Sequence, residues 1–187
     1  MEALLWKLAT PACAGTGFGV RYLWEKYSDN RRHRILDALE ETKFRLEEFY
    51  CPILYCLMED NHIWKHFLSD GQELSPDNMT NANLTDKQFR LFDNKNLTNM
   101  KKIKEIITKN IIKARPRGCM MDALNEFTEH ATVYFVMREM DPGSKQFPSQ
   151  LTPPAPFPRN FYEQVKERIT ELMKEYNKLL SDLSYIR

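Results

Sequence analysis

Leu46-Glu-Glu-Phe49-Tyr50-Cys51-Pro52-Ile53-Leu54-Tyr55-Cys56-Leu57-Met58 is the densest apolar and aromatic stretch of the chain. Its reading decides the fold. Ile35, Leu39, Thr42, Leu46, Phe49 and Ile53 recur at intervals of 4, 3, 4, 3 and 4. That is the two-position seam of a helix packing on other helices. Cys56, Ile63 or Trp64, and Phe67 extend the same face. Between seam residues stand Glu40, Glu41, Lys43, Arg45, Glu47 and Glu48, opposite charges at helical spacing on a solvated side. The pattern predicts one long helix from Arg31 to Asp70, with a start as early as Phe18. Pro52 is its one interruption. A proline has no N–H to give the carbonyl four residues back, here Glu48, so a kink is expected nearby. Glu59-Asp60-Asn61-His62 reads as a charged turn after the strip.

Downstream, Gly71 to Asn99 is the loosest part, with 71–84 a surface loop. Thr85 or Asp86 is expected to cap a short helix through Phe89, Leu91 and Phe92. Thr98 or Asn99 is expected to cap a separate one, with Met100, Ile103, Ile107 and Ile111 on one face. Lys101, Lys102, Lys104, Lys109 and Lys113 lie mostly opposite, and Arg115-Pro-Arg-Gly118 ends it. Cys119 to Met140 forms the next helix, striped by Met120, Leu124, Phe127, Ala131 and Tyr134. Val133, Phe135, Val136 and Met137 make its second half apolar almost all round, which predicts a central position. Residues 141–159 hold six of the ten prolines and read as an extended connector over the surface. Asn160, with Glu163 three residues on, is expected to cap the last helix. Its stripe is Phe161, Val165, Ile169, Leu172, Tyr176, Leu179 and Leu183.

These elements predict an all-α fold. It is an irregular bundle with one proline-kinked long helix, two central helices and a C-terminal amphipathic helix. Residues 28–187 form a single helical domain, preceded by an apolar arm at 1–27. The 187 residues suffice for a core without disulfides or metal. With 27 Lys and Arg against 26 Asp and Glu, no global field attracts nucleic acid, and none is expected as a partner. Cys13, Cys51, Cys56 and Cys119 match no zinc or redox spacing. They are expected to be free, buried thiols, which suits a reducing compartment. Asn78, Asn83 and Asn96 each begin an N-x-T sequon in an Asn- and Thr-rich window, where chance sequons are common.

The arm has three open readings: a packed segment, a membrane-touching segment or a span. Leu8 to Val20 carries no charge, yet 13 helical residues reach only about 20 Å, short of a hydrocarbon core of roughly 30 Å. Pro11 and the Gly15-Thr-Gly-Phe-Gly19 run argue against a regular helix there. Ala12-Cys13-Ala14 has the form of a signal-peptidase site, but the segment before it lacks the usual basic character. Leu4, Leu5, Trp6 and Leu8, with Arg31, Arg32 and Arg34, are the candidate membrane or partner contacts.

No nucleophile, phosphate-loop or zinc-protease signature occurs. Gly15, Gly17 and Gly19 lack the strand, spacing and lysine of a nucleotide site. Glu59-x-x-His62 matches half of a di-metal bundle motif, with His66 one turn on. No second Glu-x-x-His exists. Glu126 and His130 stand on another helix, so a mononuclear site from Glu59, His62, His66 and His130 is the metal alternative. Ordinary hydrogen bonding of these residues is favoured, and no cofactor or small-molecule substrate is expected.

Three stretches together resemble a family pattern. The first is Leu46 to Ile53, followed by Leu57, Asp60-Asn61 and Ile63-Trp64. The second is Lys104-Glu-Ile-Ile-Thr-Lys-Asn110-Ile111 with Glu126 to Arg138. The third is Phe157-Pro158 through Glu175-Tyr176. Over about residues 30–185 the chain resembles uncharacterised helical proteins of large DNA viruses of algae. The resemblance carries no catalytic residue. It implies structural or scaffolding work in an assembly of protein chains, such as a virion or its capsid. A peripheral or singly anchored membrane protein is the second expectation, and a metal-dependent helical enzyme the third.

Overall fold

A computed structural model describes residues 6–68, 84–144, 148–151 and 154–185, with side chains described from residue 22 onward except that of Ser149. The protein is all-α, and no strand occurs among the described residues. In chain order come α1 (Trp6–Phe44), a π-helical segment (Arg45–Tyr50), α2 (Cys51–Phe67), α3 (Asp86–Ala114), α4 (Cys119–Met140), a 3₁₀ turn (Pro148–Gln150) and α5 (Phe161–Ser184). The chain divides into two compact units, residues 43–173 and residues 1–42 with 174–187.

The unit 43–173 holds the core. Phe49, Ile53, Leu124, Phe127, Ala131, Val165 and Leu172 are entirely shielded from solvent. Phe127 stacks on Phe161 at 5.2 Å and meets Phe157 edge-on at 5.8 Å. Burying each such side chain contributes on the order of 1.5–3 kcal/mol, so this aromatic knot is a main source of cohesion.

The strip around Pro52 behaves differently from a plain kinked helix. The distortion is the π-helical segment immediately before the proline, and Pro52 itself is the second residue of α2, inside its first turn. Widening the turn lets the Cys51 N–H reach the Leu46 carbonyl, five residues back. The Glu48 carbonyl, which Pro52 cannot serve, accepts instead from the Asn110 side-chain amide of α3 at 3.0 Å. A defect written into one helix thereby fixes the register of another. Asn110→Ala is expected to cost about 1 kcal/mol, read as a lower urea midpoint, because it leaves that carbonyl to water. Asn110→Asp should cost at least as much, since a carboxylate offers no donor.

Helix α3 corrects the expectation of a short helix followed by a separate one. Thr85 is the N-cap as expected, accepting from the Gln88 N–H at 3.3 Å while Gln88 Oε1 accepts from the Thr85 N–H at 3.1 Å. From there the helix runs unbroken to Ala114. Neither Thr98 nor Asn99 caps anything. The Thr98 hydroxyl bonds back to the Asn94 carbonyl, and the Asn99 amide is spent on another helix. Arg115 closes α3 in the left-handed conformation, and Gly118 (φ 55°, ψ −138°) supplies a backbone shape that a side chain would resist.

Helix α4 covers Cys119–Met140 as read, and its five-residue stripe is buried. Its second half is not enclosed: Val136 and Met140 are exposed, while Val133, Phe135 and Met137 are half-buried. Phe67, expected on the buried face of α2, is exposed, whereas Trp64 packs against Phe92 at 5.5 Å. Glu59-Asp-Asn-His62 is helical, not a turn, and lies within α2.

The proline-rich connector runs over the surface only in part: Pro142, Pro154 and Pro156 are exposed as expected, but three residues are not. Pro148, Ala155 and Pro158 are buried, because apolar prolines spaced along an extended chain can lie flat on the core. Residues 145–147, 152 and 153 lie outside the described residues. Asn160 has φ 58°, unlike the extended backbone of an N-cap, and its carbonyl accepts from the Gln164 N–H at 2.9 Å.

In the other unit, Leu39 and Thr42 are buried, and Tyr176, Leu179 and Leu183 are half-buried. Helix α1 passes through Pro11, Gly15, Gly17 and Gly19, against the expectation of an irregular start. A glycine disfavours helix by only about 1 kcal/mol, a bias that a long continuous helix can absorb. The expected surface loop at 71–84 falls outside the described residues except for Leu84.

Candidate functional site

The charged groups of the core form a polar layer among α2, α3 and α4. Each occupies a place in an apolar stripe. In α3, Asp93 and Asn96 continue the spacing of Met100, Ile103 and Ile107 upstream. In α4, Arg138 follows Met120, Leu124, Phe127, Ala131 and Tyr134 at the next interval. Across the π-helical segment and α2, Asp60 follows Phe49, Ile53 and Cys56. A charge in register with a buried stripe is the signal that could have found them.

Asp93 and Arg138 are the centre of the layer. Arg138 Nε donates to Asp93 Oδ1 at 2.9 Å and Oδ2 at 3.1 Å. The Tyr134 hydroxyl donates to the same Oδ1 and accepts from Arg138 Nη2 at 3.2 Å. The guanidinium also lies 4.7 Å from the Tyr134 ring centroid and 5.3 Å from that of Phe89. Burial, together with the Asp93 carboxylate, pushes the Tyr134 hydroxyl well above the usual tyrosine range. Burial alone would lower the Arg138 pKa, but Tyr134 and Asp93 more than reverse it, so the guanidinium stays charged. The trio is an ion pair with a neutral phenol, fastening α3 to α4 and leaving Arg138 Nη1 buried without a hydrogen-bond partner among the described residues.

Asp60 is the second group. Its Oδ1 accepts from Asn99 Nδ2 at 2.8 Å, and that same amide lies 3.4 Å from the Cys56 carbonyl. The bond joins α2 to α3. Burial raises the Asp60 pKa to about 7, nearby Glu59 adds to the rise, and the Asn99 bond with Lys95 and Lys102 only partly opposes it.

His130 is the third. Its Nδ1 lies 2.8 Å from the Ala155 carbonyl, so Nδ1 carries the proton and α4 is tied to the connector. Burial lowers the imidazole pKa, which keeps the ring neutral in the aromatic setting of Phe157 and Tyr134.

The sequence-derived metal residues are not brought together. Glu59 pairs with Lys95 at 3.5 Å. His62 and His66 are exposed neighbours on α2 with ring centroids 6.2 Å apart, while His130 is buried against the connector and Glu126 is exposed. No group of three or more metal-capable residues occurs among the described residues. The thiols also differ from expectation: Cys56 is buried, but Cys51 and Cys119 are exposed, and all three are free. Burial raises the pKa of both Cys51 and Cys56, which disfavours the nucleophilic thiolate. Asn96 is buried on α3, so its sequon is closed in the folded chain, and Asn78 and Asn83 lie outside the described residues.

Arg31, Arg32 and Arg34 are exposed on α1. Trp6 and Leu8 lie within α1 by backbone, and Leu4 and Leu5 fall outside the described residues. No helix among the described residues is long and apolar enough to cross a membrane.

Comparison with protein-family models, curated proteins and solved structures finds no match to the chain.

Proposed function

We propose that the chain is a non-enzymatic structural or scaffolding protein working inside a larger assembly of protein chains, of the kind a virion or capsid provides. The carrying observation is where its buried ionisable groups are spent. Asp60 ties α2 to α3, Asp93 and Arg138 tie α3 to α4, and His130 ties α4 to the connector. Groups that could serve as acids, bases or ligands act here as fastenings between elements. A core fixed in this way holds its surface in one shape, which is what a scaffold needs.

Sedimentation of the chain in detergent-cleared native extracts tests this reading. A scaffold migrates well ahead of its own 22.2 kDa. Migration of the whole population at the monomer rate would contradict it.

A further inference from the structure

Helix α1 exposes large apolar side chains over residues 22–27. Leu23, Trp24 and Tyr27 are 65%, 70% and 61% exposed, and the Trp24 and Tyr27 rings lie 6.3 Å apart. At about 100° per residue, Leu23, Trp24, Tyr27, Arg31 and Arg34 fall within about 100° of one another around the helix. Glu25 and Asp29 fall on the opposite side. One face of this stretch therefore holds Leu23, Trp24, Tyr27, Arg31 and Arg34 and neither local carboxylate, while Tyr22 and Arg32 fall on the far side with Glu25 and Asp29.

The composition of the stretch agrees with the face. Residues 8–20 carry no charge, the aromatic residues Tyr22, Trp24 and Tyr27 follow, and Arg31, Arg32 and Arg34 come next. Across residues 21–34, five basic residues stand against two acidic ones. Trp and Tyr favour the headgroup boundary, where a ring is half in oil and a polar edge meets water. Arginine beyond them suits phosphate, and its methylenes can lie along the apolar layer. Exposed Trp and Tyr beside an excess of arginine fit an anionic headgroup layer met side-on.

We propose that this face of α1 docks on an anionic lipid bilayer. Leu23, Trp24 and Tyr27 enter the interfacial layer, and Arg31 and Arg34 meet the lipid phosphates. The helix lies on the surface, held by apolar burial and charge together. This goes beyond the scaffold reading and does not depend on it, because the scaffold assay is run without membranes.

Flotation of the purified full chain with phosphatidylcholine vesicles, with and without phosphatidylserine, decides the matter. The chain is expected to float with the phosphatidylserine vesicles at least about tenfold more tightly, given roughly 1 kcal/mol for each basic residue near the surface. Arg31→Gln with Arg34→Gln should weaken that binding about 30-fold. Trp24→Ser with Tyr27→Ser should abolish it, while Glu25→Gln with Asp29→Asn should not weaken it. All substituted side chains are exposed, and unchanged far-UV circular dichroism verifies the fold. No flotation, equal flotation with both compositions, or full binding by the double arginine variant would overturn the proposal. So would a lipid-free dimer that Trp24→Ser with Tyr27→Ser dissociates, because that outcome assigns the face to a second copy of the chain.

Discussion

Replacing Asp93 with alanine is expected to lower the free energy of unfolding by about 3–5 kcal/mol. The cost comes from what stays behind. Arg138 keeps its charge with only 8% of its surface exposed, and it loses both carboxylate contacts at 2.9 and 3.1 Å. The Tyr134 hydroxyl loses its acceptor at the same time. The aromatic rings beside the guanidinium retain some cation–π attraction, worth about 1–2 kcal/mol, which is too little to compensate. For a chain of 187 residues the loss corresponds to a drop in Tm on the order of 10 °C. Asp93→Asn should lose less, because an amide oxygen still accepts from Tyr134. A fall below about 1 kcal/mol for Asp93→Ala would mean that water reaches the pair and screens it.

The second large effect is a pH dependence of unusual sign. An unfolded Asp ionises near ~3.9, whereas native Asp60 holds its proton to about 7. Between those values the folded chain binds one more proton than the unfolded chain. Stability from this group is complete below the unfolded pKa and is lost as pH rises through the folded one. The change is on the order of 4 kcal/mol over that window, and the curve is flat above it. Paired surface carboxylates give the opposite trend, so Asp60 should be separable by substitution. Asp60→Asn is expected to remove the slope, to be close to neutral near pH 4 and to raise Tm at pH 8. The substituted amide can still pair with Asn99, because its oxygen accepts from Asn99 Nδ2 as the carboxyl oxygen does. Unfolding curves of both proteins at pH 4, 6 and 8 check this. Parallel profiles would show that Asp60 is not the source.

Helical periodicity made most of the fold readable. The stripes of α4 and α5 and the seam Ile35 to Ile53 depend on apolar spacing alone, and most of their residues bury as the spacing requires, with Ile35, Leu46 and the last turns of α5 half-buried. The misreadings share another physical origin. Asn99 resembles an N-cap in isolation, yet its amide is used 39 residues away by Asp60, a partner that local spacing cannot reveal. The break at Pro52 was legible, but its resolution through a π-helical turn and the Asn110 amide depended on a helix about 60 residues downstream. The connector looked like a surface strap because prolines disfavour helix. The burial of Ala155, whose carbonyl meets His130, is again a tertiary choice. Asp60, Asp93 and Arg138 were missed as a group because charged residues are ordinarily assigned to solvent. Their register in three apolar stripes was visible, but the partner of each lies on a different helix.

The account rests on buried ionisable groups acting as fastenings, and the double-mutant cycle between Asp93 and Arg138 measures that most directly. Asp93→Ala, Arg138→Met and the double variant are compared by urea unfolding of the full chain. The predicted result is a strongly non-additive cycle, with a coupling of about 2–3 kcal/mol and a double variant more stable than Asp93→Ala alone. Additivity within about 0.5 kcal/mol would contradict the account, because each residue would then stabilise the fold without the other.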